Sequence, residues 1–298
     1  MPFGFTKFLE DHNNSIETIT TYNSAVNDFF SVLDYLLPSE LEVFEIQARH
    51  IKMYLDYIEK SRGTSISTIN RNITILKKFF DYLWESNQIS IDPMSKIRRK
   101  KESKYKESKL DYQLLINLKT DILNNSNIDL LSKVIYIFAL RGFTQSEMRV
   151  KKDDIYFLDD KVIINVLSET QYQSEIRTIM FDGEDAEIIY QLYLNASFKA
   201  TPYLLTRRLQ NKDVEIHEYA EKKKIKDKIK ELKEHVSALE HFNLIESRKA
   251  YIIHLYKELS FSINQIGYLM CRRPKSIIQL INKHDPFGHY PVKKNVNN

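Results

Sequence analysis

Arginine and lysine are the side chains best suited to holding a phosphate, and here they gather in short clusters. KIRRKKESKYKESK, Lys96 to Lys109, holds eight of them against two glutamates, a net +6 in a chain whose total is +4. A local stripe suits a polyanionic backbone better than charge spread evenly, although such a run also serves as a solvated connector. RRPKS places Arg272, Arg273 and Lys275 around Pro274, where a helix start would add free backbone N–H groups to hold an anion. Asn70, Arg71 and Lys77 share a polar face in TINRNITILKK, and asparagine and arginine are the residues that pair with adenine and guanine edges. Lys96, Arg98, Arg99, Lys100, Lys101, Lys151, Lys152, Arg177 and Arg248 complete the candidate phosphate contacts. Tyr290 in FGHYPVKK has His284 and His289 nearby, but 18 tyrosines make a chance neighbour common.

Other chemistries are poorly served. Six glycines, none in G-x-G-x-x-G or G-x-x-x-x-G-K-[ST], leave no loop able to cradle a nucleotide phosphate. No H-E-x-x-H or C-x-x-C occurs and the eight histidines are scattered, so neither a metal nor another cofactor is expected. The lone Cys271 excludes an intrachain disulfide framework. No apolar run approaches the roughly 20 residues of a membrane span, and the N-terminus lacks a secretory pattern. The expectation is a cytoplasmic, nucleoid-associated protein with no membrane partner.

The elements that must position these groups follow from periodicity. Tyr22, Val26, Phe29, Phe30, Leu33 and Leu36 recur at helical steps up to Pro38. Ile51, Tyr54, Leu55 and Ile58 form a second stripe ending at Gly63. In the third, Ser65 or Ser67 caps a helix whose buried face is Ile69, Ile73, Leu76, Phe80 and Leu83. Residues 1–95 thus read as a helical domain of about four helices, 96–109 as a basic linker, and 110–298 as a second domain with a C-terminal tail. In that domain, two helical patterns precede GFTQSEMRV, read as a turn and a short helix. The period then changes to two through IYF, KVIINVL and EIRTIMF, a small antiparallel sheet. Ile225, Ile229, Leu232, Val236 and Leu239 have heptad-like spacing, read as core packing rather than a coiled coil. Two last helices cover Leu244–Leu259 and Ser262–Ile281.

This order resembles the tyrosine recombinases, the phage integrase family, over about Thr20 to Ile281. TINRNITILKKFFDYLWESNQISIDPMSKI resembles the core-binding (SAM-like) domain. GFTQSEMRVKKDDI resembles the G-L-R-x-S-E-L segment, and LIESRKAYIIHLYKELSFSINQIGYLMCRRPKS the segment with H-x-x-R and L-G-H. The resemblance implies a mainly α fold with a small antiparallel β-sheet, in a two-domain clamp around double-stranded DNA. It also implies a tyrosine that forms a 3′-phosphotyrosine, two arginines on the phosphoryl oxygens, a sheet lysine and two histidines. The first arginine falls on Thr144. The sheet lysine falls at Tyr172 or Gln173, because no lysine occurs between Lys161 and Lys199. The two histidines fall on Ile245 and Cys271, and the nucleophile on Leu280. Arg248 is kept, and with it a contact to the scissile-type phosphate.

A family outline with five roles lost implies a grip on DNA without the covalent step. The chain in this respect resembles integrase-derived prophage repressors of SPbeta-like phages. The expected role is a non-enzymatic, sequence-specific transcriptional repressor that maintains lysogeny. The open alternatives are a divergent recombinase using Tyr290 and a non-catalytic accessory protein. The resemblance also implies a homo-oligomer formed through the C-terminal tail, and leaves room for a protein or peptide antagonist.

Overall fold

The computed structural model describes residues 2–39, 41–101, 110–169, 174–199, 201–206, 208–209, 212–213 and 218–284. The chain divides into two compact units, Met1–Tyr105 and Lys106–Asn298.

The first unit is helical: α1 (Phe5–Asp11), α2 (Ile16–Leu36), α3 (Ala48–Lys60) and α4 (Ile66–Glu85). Ser15 opens α2 and Ser65 opens α4, each side chain accepting the backbone N–H three residues on. The apolar stripes read from sequence meet in one core. Ile69, Ile73, Leu76, Phe80 and Leu83 are all buried. Aromatic edges lock the helices together, with Phe5 against Phe79 at 5.1 Å and Phe29 against Tyr54 at 5.3 Å between ring centroids.

The first part of the basic stripe is built into this unit. Asn70 on α4 holds Lys100 by both backbone groups: Nδ2 donates to the Lys100 carbonyl at 2.9 Å, and Oδ1 accepts its N–H at 2.8 Å. Arg99 donates to Thr74 Oγ1 at 2.8 Å, and Ile97 packs on the core. Ile97, Arg99 and Lys100 are therefore strapped along α4, within the first unit. Residues 102–109 lie outside the described residues.

The second unit begins with α5 (Tyr112–Asn124) and α6 (Leu130–Leu140). α6 is the central element, because every residue from Val134 to Leu140 is buried. Strands β1 (Ile155–Leu158), β2 (Lys161–Glu169) and β3 (Ser174–Asp182) form the expected antiparallel sheet in sequential order. The face bearing Val162, Ile164, Val166 and Phe181 is buried, whereas Leu167, Ile176 and Met180 on the other face are exposed. After α7 (Gly183–Ser197), α8 (Glu218–His235) places Ile225, Ile229 and Leu232 in the core, so its heptad-like spacing is core packing.

Two sequence readings change here. GFTQSEMRV is a turn closed by the Met148 N–H to the Thr144 carbonyl at 3.1 Å, with no short helix. The last helical stretch after α9 (Leu244–Lys257) is two helices, α10 (Ile263–Leu269) and α11 (Pro274–His284). The break is physical: Cys271 has φ +47°, and the Arg272 N–H bonds back to the Gly267 carbonyl at 2.8 Å. Pro274 then opens α11, where its missing N–H costs nothing. None of the described helices is long and apolar enough to cross a membrane.

Candidate functional site

Glu147 organises the site. The turn Gly142–Met148 holds it locally, since its own N–H donates to Thr144 Oγ1 at 3.2 Å while its Oε2 accepts the Thr144 N–H at 2.6 Å. The same oxygen accepts Arg248 Nη1 from α9 at 2.6 Å and Arg177 Nη2 from β3 at 3.3 Å. Arg248 Nη1 also donates to the Gly142 carbonyl, and its Nη2 to the Met270 carbonyl, both at 2.6 Å. Arg177 Nη1 donates to the Leu269 carbonyl at 3.3 Å and its guanidinium lies 5.1 Å from the Phe143 ring. All three side chains are buried. Gly142 makes this approach possible: its φ is +68°, and a Cβ there would stand 3.0 Å from the Tyr251 ring.

The charges explain the protonation states. Burial pushes the Glu147 carboxyl up, but Arg248, Arg177 and the Thr144 N–H outweigh it and hold the pKa below the ordinary carboxylate value. Burial lowers the Arg177 pKa, with Glu147 opposing that shift. Among the described residues, Glu147 Oε1, Arg177 Nε and Arg248 Nε are buried without a hydrogen-bond partner.

Several of the candidate side chains are held by the protein itself. Arg248 and Arg177 are not free phosphate contacts, since the terminal nitrogens of both are committed to Glu147 and carbonyls. Lys152 is committed as well: its Nζ donates to the carbonyls of Ala196, at 3.2 Å, and Lys199, at 2.9 Å, where α7 ends. Lys100 pairs with Glu59 and lies 3.9 Å from Asp56, and Asn70 clamps the same residue's backbone rather than offering its amide outward. By contrast Arg71, Lys77, Lys96, Arg98, Lys101, Lys151, Arg272, Arg273 and Lys275 are exposed, as is Arg99, whose guanidinium bonds Thr74.

The described positions at which the family resemblance puts reactive groups fall in three places. Thr144, Ile245 and Arg248 line one cleft of about 290 Å³. Its other walls are largely aliphatic, from Ile225, Ile229, Leu244 and Ile252. Asn243 caps α9 at the rim, accepting the N–H groups of Ile245 and Glu246. Cys271 lines a neighbouring cleft with Arg177 and Tyr251. Leu280 is buried in a cluster with Ile252, Leu255, Ile266, Met270, Ile277 and Ile281. Tyr172, Gln173, His289 and Tyr290 lie outside the described residues. Among the described residues no group of acidic, histidine and cysteine side chains could hold a metal ion.

Sequence reasoning missed that Arg177 is internal. The available signal was its phase, because it stands two and four residues before Ile179 and Phe181 on the inward side of β3.

A helical unit, followed by a unit of helices around a three-stranded antiparallel sheet, is the architecture of the tyrosine recombinases. Residues 4–89 match the model of the phage integrase N-terminal SAM-like domain. Over the whole chain, a lambda integrase (75–356) dimer bound to a COC′ core site aligns with TM-score 0.65 at 13% identity, covering 97% of each chain. The Tn1549 transposon integrase in complex with a circular intermediate DNA aligns with TM-score 0.67 at 14% identity, covering 93% of each chain. XerH site-specific recombinase bound to palindromic difH substrate aligns with TM-score 0.66 at 14% identity, covering 92% of this chain and 80% of XerH. No protein of curated function is similar in sequence.

Proposed function

We propose that this chain binds a specific duplex DNA without cutting it, as a transcriptional repressor that keeps a prophage dormant. The observation that carries the reading is Leu280. At the position where the resemblance puts the attacking tyrosine stands an aliphatic side chain packed into an apolar cluster, and an alkyl group cannot form a phosphotyrosyl bond. Thr144 and Ile245 support it, because neither supplies the charge or proton that an arginine and a histidine would. The shared fold supports the DNA grip, as do the exposed cations Arg71, Lys77, Lys96, Arg98, Lys101, Arg272, Arg273 and Lys275. Each of the three similar structures named above holds DNA.

The test is incubation with a nicked suicide duplex, which traps a covalent protein–DNA adduct if any tyrosine attacks. The expected result is no adduct, together with genome-wide footprints dispersed near promoters. An adduct lost on Tyr290→Phe would establish the divergent recombinase instead. A footprint confined to one attachment site, with no adduct, would establish an accessory role.

A further inference from the structure

The cleft at Thr144 and Ile245 has a chemistry that a phosphodiester backbone does not need. Its walls are aliphatic, yet cations stand at its base and rim. Arg248 lines it, and its buried Nε has no hydrogen-bond partner among the described residues. Arg272 lines it too, with an exposed side chain. Glu147 is already shared by Arg177, at 3.3 Å, and Arg248, at 2.6 Å, and among the described residues its ion pairs do not include Arg272. Lys249 at the rim is already matched by Glu246 at 2.7 Å. The excess positive charge beside an apolar wall favours a ligand with one anionic end and a hydrocarbon body. At about 30 Å³ per water-sized unit, 290 Å³ holds on the order of ten non-hydrogen atoms.

We propose that this cleft binds a small aliphatic carboxylate, its chain against Ile229, Ile245 and Ile252 and its carboxylate at Arg272. A medium-chain fatty acid and the C-terminus of a short aliphatic peptide share this chemistry. An inorganic phosphate lacks the hydrocarbon, and an alkylamine has the wrong charge. Binding is read on the DNA-free protein, so the outcome does not depend on whether the chain recognises DNA.

The experiment is isothermal titration calorimetry of the full chain with sodium octanoate, octylamine, inorganic phosphate, and a short aliphatic peptide with a free or an amidated C-terminus. Octanoate is expected to bind saturably at one site, with octylamine and phosphate at least about tenfold weaker. Free-carboxylate peptide binding tighter than octanoate identifies a peptide terminus as the source, and the reverse order identifies a fatty acid. Arg272→Gln is expected to weaken octanoate at least about tenfold without lowering the melting temperature, because the side chain is exposed. Ile245→Asp, also at an exposed position, is expected to remove binding. The proposal is overturned if octylamine or phosphate binds as well as octanoate, if Arg272→Gln changes nothing, or if neither carboxylate binds saturably.

Discussion

At Glu147, burial and two guanidiniums pull one carboxyl in opposite directions, and the guanidiniums prevail. The sign of the resulting pH dependence follows. A carboxyl whose folded pKa lies below its unfolded value, about 4.3 for glutamate, adds stability that is complete above that value. The contribution disappears as pH falls through the lower folded pKa. Thermal melts between pH 3 and 8 should therefore show a loss of stability below about pH 4 that Glu147→Gln lacks. The same substitution leaves two buried guanidiniums uncompensated, and at pH 7 it should cost about 3–5 kcal/mol. Gly142→Ala tests the other half of the arrangement. At φ +68°, with Tyr251 at 3.0 Å from the added Cβ, it should destabilise by about 1–2 kcal/mol, measured by urea unfolding. A neutral result would mean that the turn relaxes freely.

At the scale of elements, the strap along α4 has a direct readout. The Lys100 amide donates to Asn70 Oδ1, so Asn70→Ala should accelerate its hydrogen exchange and lower stability by about 1–3 kcal/mol. Arg71→Ala, at an exposed position on the same helix, should leave that amide protected. Much of this architecture was legible in sequence because burial imposes a period. The stripes of α2, α3 and α4 and the alternation of β1 to β3 all gave the right element types. What escaped was set by contacts distant in sequence. Asn70 looked like an outward polar residue on α4, since its partner Lys100 is 30 positions away. The helix expected to run from Ser262 to Ile281 breaks because Cys271 takes a left-handed backbone, which its apolar neighbours do not announce. In the site, the proposed correspondence of Thr144, Ile245 and Leu280 to reactive positions of the family rests on motif alone. The burial of Arg177 and Arg248 around a shared Glu147 could not be read that way, because arginines read as surface cations until their partners are known.

For the molecule as a whole, the proposed DNA grip divides into recognition and charge neutralisation. Arg71→Ala should relax sequence preference, while Lys101→Ala should weaken all duplexes alike and reduce the salt slope of binding by about 0.9. Fluorescence anisotropy at several salt concentrations, on operator and scrambled duplexes, measures both. If the two variants behave identically, that division is wrong. Arg177→Ala offers a contrast: it should lower the melting temperature without a matching loss in salt slope, because that guanidinium faces the protein interior.

The carboxylate of Glu147 is joined to groups 30 and 101 positions further along the chain. Closing spans of that length is slow and entropically unfavourable, so such links form only after nearby helices have assembled. The cluster is therefore expected to form on the native side of the folding barrier. Removing it should hasten unfolding while leaving the refolding rate almost untouched, so this knot of charge acts mainly as a kinetic clasp that keeps the finished unit from opening.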